Sequence, residues 1–370
     1  MNVPFLDLAA ASRELREELL ATSRDVIDSG RYVLGPRVEA FEREFARYVE
    51  ANHAVGVGSG LDALELALRA LAVGPGDEVV VPAFTFIATW LAVGAVGATV
   101  VPVETQAGSF DVDPAALTAA LTERTKAAIL VHLYGHPTDL DVLEPLLRER
   151  GVALIEDAAQ CHGARLGGRR IGARGELVCW SFYPGKNLGA LGDAGAITTD
   201  SADLAEAVRR LRNYGSTQKY VHEVAGRNSR LDELQAAWLS IKLKHLDAWN
   251  QRRRQIAARY RAALAGTPGL TLPTTRPGAE PVWHLFVVRV RERDRIQAQL
   301  AERGVQTLVH YPIPIHLQAA YAGLGLGEGA FPVTEALQRE LLSLPIGPHM
   351  HEDQVAHVIA SVKAVLGDGS

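Results

Sequence analysis

Lysine is scarce in this chain of 370 residues, whose 38 basic side chains divide into 6 lysines and 32 arginines. Five of the six, Lys126, Lys219, Lys242, Lys244 and Lys363, fall on polar helical stretches or just before a strand, where a solvated cation belongs. Lys186 does not: in "SFYPGKNLG" it occupies a Pro/Gly-interrupted turn between the apolar, strand-like runs "ELVCWSF" and "AGAITTD". Cysteine is scarcer still. Cys161 and Cys179 cannot build a disulfide framework, which points to a reducing, cytoplasmic setting. A positive excess is also missing, and a net charge of -5 speaks against a nucleic-acid binder. No run of roughly 18 apolar residues occurs, so no membrane span is expected. The opening "MNVPFLDLAAASRELREELL" lacks a cationic stretch followed by an apolar one, and no signal peptide is expected.

What is present is alternation. An amphipathic helix is expected over 12–28, and a second with Val38, Phe41, Phe45 and Tyr48 on one face. Short apolar runs then alternate with helical ones, beginning with "HAVGVG" and "LDALELALRAL" and continuing through "VALIEDAA". Such order implies βαβ units, hence an α/β fold with a mainly parallel central sheet flanked by helices. Near residue 231 the pattern changes to one long helical stretch, 231–264, followed by the linker "GTPGLTLPTTRPGAEP" and an α+β remainder. The division expected is a large α/β domain over 1–250 and a small α+β domain over 251–370.

In an open α/β sheet, ligands gather at the carboxyl ends of the strands. After the first apolar run, Gly58, Ser59 and Gly60 open directly onto a helix, a setting that suits either phosphate binding or an ordinary tight turn. No G-x-G-x-x-G is present there, which weighs against a nicotinamide enzyme. After the fifth run come Glu156 and Asp157; a carboxylate at a buried strand end calls for a positive partner, or it caps the next turn. Lys186 follows 29 residues later, and a lysine in an apolar pocket serves as an amine nucleophile toward a carbonyl. A phosphate site, a buried Asp and a buried Lys together match pyridoxal 5′-phosphate, with its phosphate, pyridine nitrogen and aldehyde.

The stretches "GSGLDALELALRAL", "VPAFTFIATW", "LIEDAAQCHGA", "SFYPGKNLGALGDAGAITT" and "RNSRLDELQAAWLSIKL" resemble the DegT/DnrJ/StrS family of fold type I sugar aminotransferases, and the likeness covers nearly the whole chain. The resemblance implies that Lys186 forms the internal aldimine, Asp157 pairs with the pyridine nitrogen and Gln160 reaches the ring hydroxyl. It gives Gly60, Leu61 and Asp62 as backbone donors to the phosphate, Ser181 as a hydroxyl donor, and Phe86 as the aromatic stacked on the ring, where composition alone reads a core phenylalanine. Asn228 matches an asparagine that reaches the phosphate from a second subunit, implying a homodimer with shared sites; read locally, it caps a helix. Tyr183, His310, Tyr311 and His316 border the substrate cleft by the same resemblance, with L-glutamate as donor and a dTDP-linked 3-keto-6-deoxyhexose as acceptor. The run "SFYPGKNLGALGDAGA" is similar to the 3-aminating branch, with C-4 amination or a cyclic ketone as alternatives. Two rivals belong to other classes: a cofactor-binding regulator without turnover, and a sugar 3-dehydratase, in which histidine replaces the lysine that is intact here.

No metal is expected at His132 and His136, four apart but at a strand end and turn. "QRRRQ" at 251–255 reads as the solvated face of the long helix.

Overall fold

The computed structural model describes residues 1–367. Seven strands form the central sheet: β1 (His53–Val57), β2 (Glu78–Pro82), β3 (Thr99–Val103), β4 (Thr125–Val131), β5 (Ala153–Asp157), β6 (Leu177–Ser181) and β7 (Gly195–Thr199). Their order is β1-β7-β6-β5-β4-β2-β3. Only β7 runs against its neighbours, pairing antiparallel with β1 and β6. The sheet is thus mainly parallel, as the alternation implies. With helices on both faces its inner strands are buried along most of their length, Lys126 at the start of β4 being exposed, and they read in sequence as largely apolar runs.

Helices α1 (Leu8–Glu14) and α2 (Arg16–Ser29) replace the single helix expected over 12–28, with the break at Leu15. Next come α3 (Pro36–Tyr48), α4 (Gly60–Ala70), α5 (Ala88–Ala95), α6 (Pro114–Ala120), α7 (Leu140–Arg148) and α8 (Ala202–Leu211). The long stretch over 231–264 is also two helices, α9 (Glu233–Leu243) and α10 (Leu246–Leu264). The Glu233 carboxylate accepts the amides of Gly35, Arg37 and Val38 at 2.9–3.0 Å, setting a negative charge on the positive end of α3. Phe41 and Phe45 on α3 pack edge-on against Phe182, and Phe45 meets Trp180 in the same way. This aromatic block forms the floor under the Lys186 turn.

The remainder carries β8 (Leu270–Thr271), β9 (Phe286–Val290) and β10 (Leu341–Leu344) in one antiparallel sheet, with α11 (Arg293–Glu302), α12 (Pro332–Glu340) and α13 (Glu352–Gly367). The division expected after residue 250 falls inside α10, which is continuous across it. The amino-terminal segment docks here, far from its sequence neighbours: Val3 bridges Val305 in parallel, and its amide bonds the carbonyl of Gly304. Among the described residues no helix is long and apolar enough to cross a membrane.

Two sequence expectations need correction. Lys242, expected in solvent, is 4 % exposed, because α9 lies with that face against the Lys186 turn. Arg253, expected on a solvated face with its neighbours, is 3 % exposed and donates to the carbonyls of Trp283, His284 and Ile346.

Candidate active site

The carboxyl ends of β1, β5 and β6 open into one cavity of about 970 Å³, closed on its other sides by residues 5–8, 284–285, 306–311 and 346. Lys186 and Asp157 both line it, with Ser59, Gly60, Leu61, Phe86, Gln160, Ser181, Tyr183, His310 and Tyr311. Residues scattered over 250 positions of sequence are therefore neighbours.

The Lys186 turn is tightly built. The Lys186 amide bonds the Tyr183 carbonyl (2.8 Å) and the Ala190 amide closes onto Phe182 (2.7 Å). Gly189 lies so close to Pro184 that a Cβ would collide with its backbone. Asn187, next to the lysine, donates to Asn250 (2.9 Å) and to the Val282 carbonyl (3.0 Å). Because both its amide hydrogens are used, its Oδ1 must accept from His284 Nδ1 at 3.1 Å, which fixes the tautomer of that ring. Burial holds the Lys186 ammonium down at about 8, with the Asp157 carboxylate pulling the other way. Burial likewise keeps His162 at about 3 and His310 at about 4, and the Lys186 charge adds to both effects.

Asp157 ends β5. Its Oδ1 accepts the Ala159 amide and its Oδ2 the Thr89 hydroxyl, each at 3.1 Å. Burial raises its pKa, against the Ala159 amide, the Lys186 charge and the Thr89 bond. Thr85 Oγ1 lies 3.0 Å from Thr89 Oγ1 and braces it. Sequence reasoning missed this pair; its signal was two threonines four apart in an otherwise apolar helix start.

At the opposite side Ser59 caps α4 by accepting the Asp62 amide at 3.1 Å. That amide is thereby engaged, whereas those of Gly60 and Leu61 have no acceptor among the described residues. A Cβ on Gly60 would come within 2.5 Å of the Ser181 Cβ. The Asp62 side chain accepts from Ser229 (2.8 Å), whose hydroxyl also takes the Gly58 amide (3.0 Å). Ser229 was another residue missed, directly beside Asn228.

Gln160 reaches the cavity, but its side chain is held by the Tyr134 amide (2.6 Å) and the Tyr311 hydroxyl (3.1 Å). Phe86 is 50 % exposed in the cavity wall and tilted on Tyr311 at 5.2 Å, which removes the core reading of that residue. Tyr183 is similarly open at 56 %. His310 bonds Ser343 at 2.8 Å. Besides Asp62, which does not line the cavity and whose amide is engaged by Ser59, two residues are not brought in. His316 is buried under Phe331, bonded to Glu335 at 3.0 Å, and does not line the cavity. Asn228 is exposed beside Asn213 and outside the cavity of this chain, and the cap of α9 is Asp232 instead. His132 donates to Glu156 (2.9 Å) and accepts the Thr138 amide (3.0 Å). His136 stands edge-on to Trp283. Among the described residues no His/Cys/Asp/Glu group is arranged to hold a metal.

The donor set is specific. Free amides at a helix start, a buried carboxylate and a buried amine facing one cavity suit the phosphate, ring nitrogen and aldehyde of pyridoxal 5′-phosphate, so the residues present fit that group. Residues 13–363 match the model of the DegT/DnrJ/EryC1/StrS aminotransferase family. The chain belongs to that family. Its members work with pyridoxal phosphate, and this chain is an aminotransferase of that kind. It is 57 % identical over 362 residues to a dTDP-3-amino-3,4,6-trideoxy-alpha-D-glucose transaminase of Streptomyces venezuelae, covering 98 % of this chain and 96 % of that one. It is 58 % identical over 364 residues to the erythromycin biosynthesis sensory transduction protein EryC1 of Saccharopolyspora erythraea, covering 98 % and 100 %. The crystal structure of S. venezuelae DesV in complex with a ketimine intermediate superposes with a TM-score of 0.97 at 56 % identity, covering 99 % and 98 %.

Proposed function

We propose that this aminotransferase moves the amino group of L-glutamate to C-3 of a dTDP-linked 3-keto-6-deoxyhexose. The observation that carries the chemistry is the convergence of Lys186 and Asp157, an amine and a carboxylate, in one cavity with the start of α4. The substrate reading rests on the likeness to the S. venezuelae transaminase and on the run "SFYPGKNLGALGDAGA".

Bound pyridoxal phosphate supplies an electron sink that stabilises negative charge at the amino acid's Cα. Every other task falls to the chain. The amides of Gly60 and Leu61 and the hydroxyl of Ser181 hold the phosphate, and the Asp157 carboxylate keeps a proton on the ring nitrogen. Phe86 would cover one face of the ring and Gln160 would meet its hydroxyl. Lys186, a neutral amine for a sizeable fraction of the time near pH 8, would be the base that takes the proton from the amino acid's Cα. Tyr183, His310 and Tyr311 line the place where the sugar must enter. Asn228 completes the phosphate site of a second copy, making the working unit a homodimer.

The test offers purified protein, pyridoxal phosphate and L-glutamate both the 3-keto and the 4-keto dTDP-6-deoxysugars, and locates the new amine by NMR. Amine at C-3, absent with Lys186→Ala, is expected. Amine at C-4 alone would overturn the position. No turnover with any keto sugar would favour the regulatory role carried in the EryC1 name.

A further inference from the structure

A second cavity, of about 240 Å³, adjoins the first across the Lys186 turn. Its wall holds the two cations whose burial the sequence did not announce. Lys242 gives one of its three N–H bonds to the Gly189 carbonyl at 2.6 Å, and the other two meet no protein acceptor. Arg253 commits only Nη1, to three backbone carbonyls, which leaves Nε and Nη2 without an acceptor. Among the described residues neither side chain has a carboxylate partner. Asp7, the only acid on this wall, is taken by Arg13 and by the Ala9 amide.

Two mostly buried cations whose spare donors face a small cavity, with no counter-charge beside them, make a setting that favours an added negative charge. Burial alone holds Lys242 down at about 8 and Arg253 at about 10, with no anionic side chain drawing either back up. A flat guanidinium edge beside an ammonium suits an oxyanion, which accepts from both at once. We propose that this cavity is a binding site for one small oxyanion, the size of sulfate, phosphate or a simple carboxylate, gripped by Lys242 and Arg253. The anion would sit against the Pro184–Gly189 turn, whose Lys186 lines this cavity as well as the first. The proposal does not depend on the sugar substrate or on the direction of transamination.

The test uses the holoenzyme, so that the cofactor's own phosphate site is filled. Thermal midpoints are measured against sodium sulfate at ionic strength kept constant with sodium chloride. General salting effects raise every variant smoothly, whereas a site gives a saturable component. Saturation is expected in the wild type and in Lys244→Met, an exposed lysine two residues away. In Lys242→Met the apparent affinity should fall about tenfold or more. Equal saturation in Lys242→Met, or none in the wild type, overturns the site. Because Lys242→Met could fail to fold, crystals of the wild-type holoenzyme soaked in selenate give an independent reading: an anomalous peak beside Lys242 and Arg253 is expected. An empty cavity, or one filled by a side chain of a partner subunit, ends the proposal.

Discussion

Asp157 sits where a charge is hardest to keep, at the buried end of a central strand, and two hydrogen bonds, together with the nearby Lys186 and His132, offset its burial in part. Its upward shift comes from burial, and a cation placed beside it would favour the charged form. Asp157→Asn keeps the shape and removes that attraction, so transamination should drop by several powers of ten, each about 1.4 kcal/mol of barrier. The thermal midpoint should hardly move; an activity loss below twofold would refute the pairing. The two buried lysines make a prediction about pH. In cofactor-free protein Lys186 and Lys242 lose their protons near 8, against 10.5 for the ordinary group. Between those values the unfolded chain binds more protons, so folded stability rises with pH across the window and levels off above it. Urea melts at pH 8 and pH 10 should show this rise in the wild type and a much smaller one in a Lys186→Met, Lys242→Met double variant. Parallel behaviour of the two proteins would show that the lysines are not desolvated.

At the scale of elements, Gly60 is the point where α4, β6 and β7 come closest. A methyl there runs into Ser181, while the carbonyl of Ser59 already presses on Gly195. Gly60→Ala should therefore weaken cofactor binding and lower stability by roughly 1–3 kcal/mol, the usual result of overfilling a packed site. Equilibrium dialysis and thermal melts check both, and unchanged cofactor affinity would show that α4 does not approach the phosphate. All seven sheet strands were legible, since each is a short apolar run bounded by turn residues. Helix ends were less so. The breaks at Leu15 and at Lys244–His245 interrupt continuous helical patterns with no Pro or Gly to mark them. Lys242 and Arg253 escaped because helical periodicity tells which residues share a face, not what that face will meet. Lys186 and Asp157 were readable for the opposite reason: each lies at a strand end or turn, where local chemistry and sheet topology coincide. Thr89 and Ser229 act only through tertiary contacts, and their neighbours in sequence carry no sign of it.

At the scale of the molecule, the cavity takes Asp157, Ser181 and Lys186 from the central sheet and the turn after it, and much of its opposite wall from residues 284–346. The hairpin formed by Ser216–Gln218 and Val221–His222 stands out with Tyr220 83 % exposed, beside Asn228. If Asn228 serves a second copy, mixing Asn228→Ala with Lys186→Ala protein should restore activity. A mixed dimer holds both defects in one site and none in the other. Failure to recover activity under proven subunit exchange would remove the shared site.

The bridge from Val3 to Val305 also bears on how the chain is made. Residues 3–8, which form one lip of the cavity, leave the ribosome some 300 positions before their partner exists. At roughly 5–20 residues per second, that interval is on the order of 15–60 s. Through it Phe5, Leu6 and Leu8 wait as loose apolar side chains, and the cleft takes its final form only after synthesis has passed Val305.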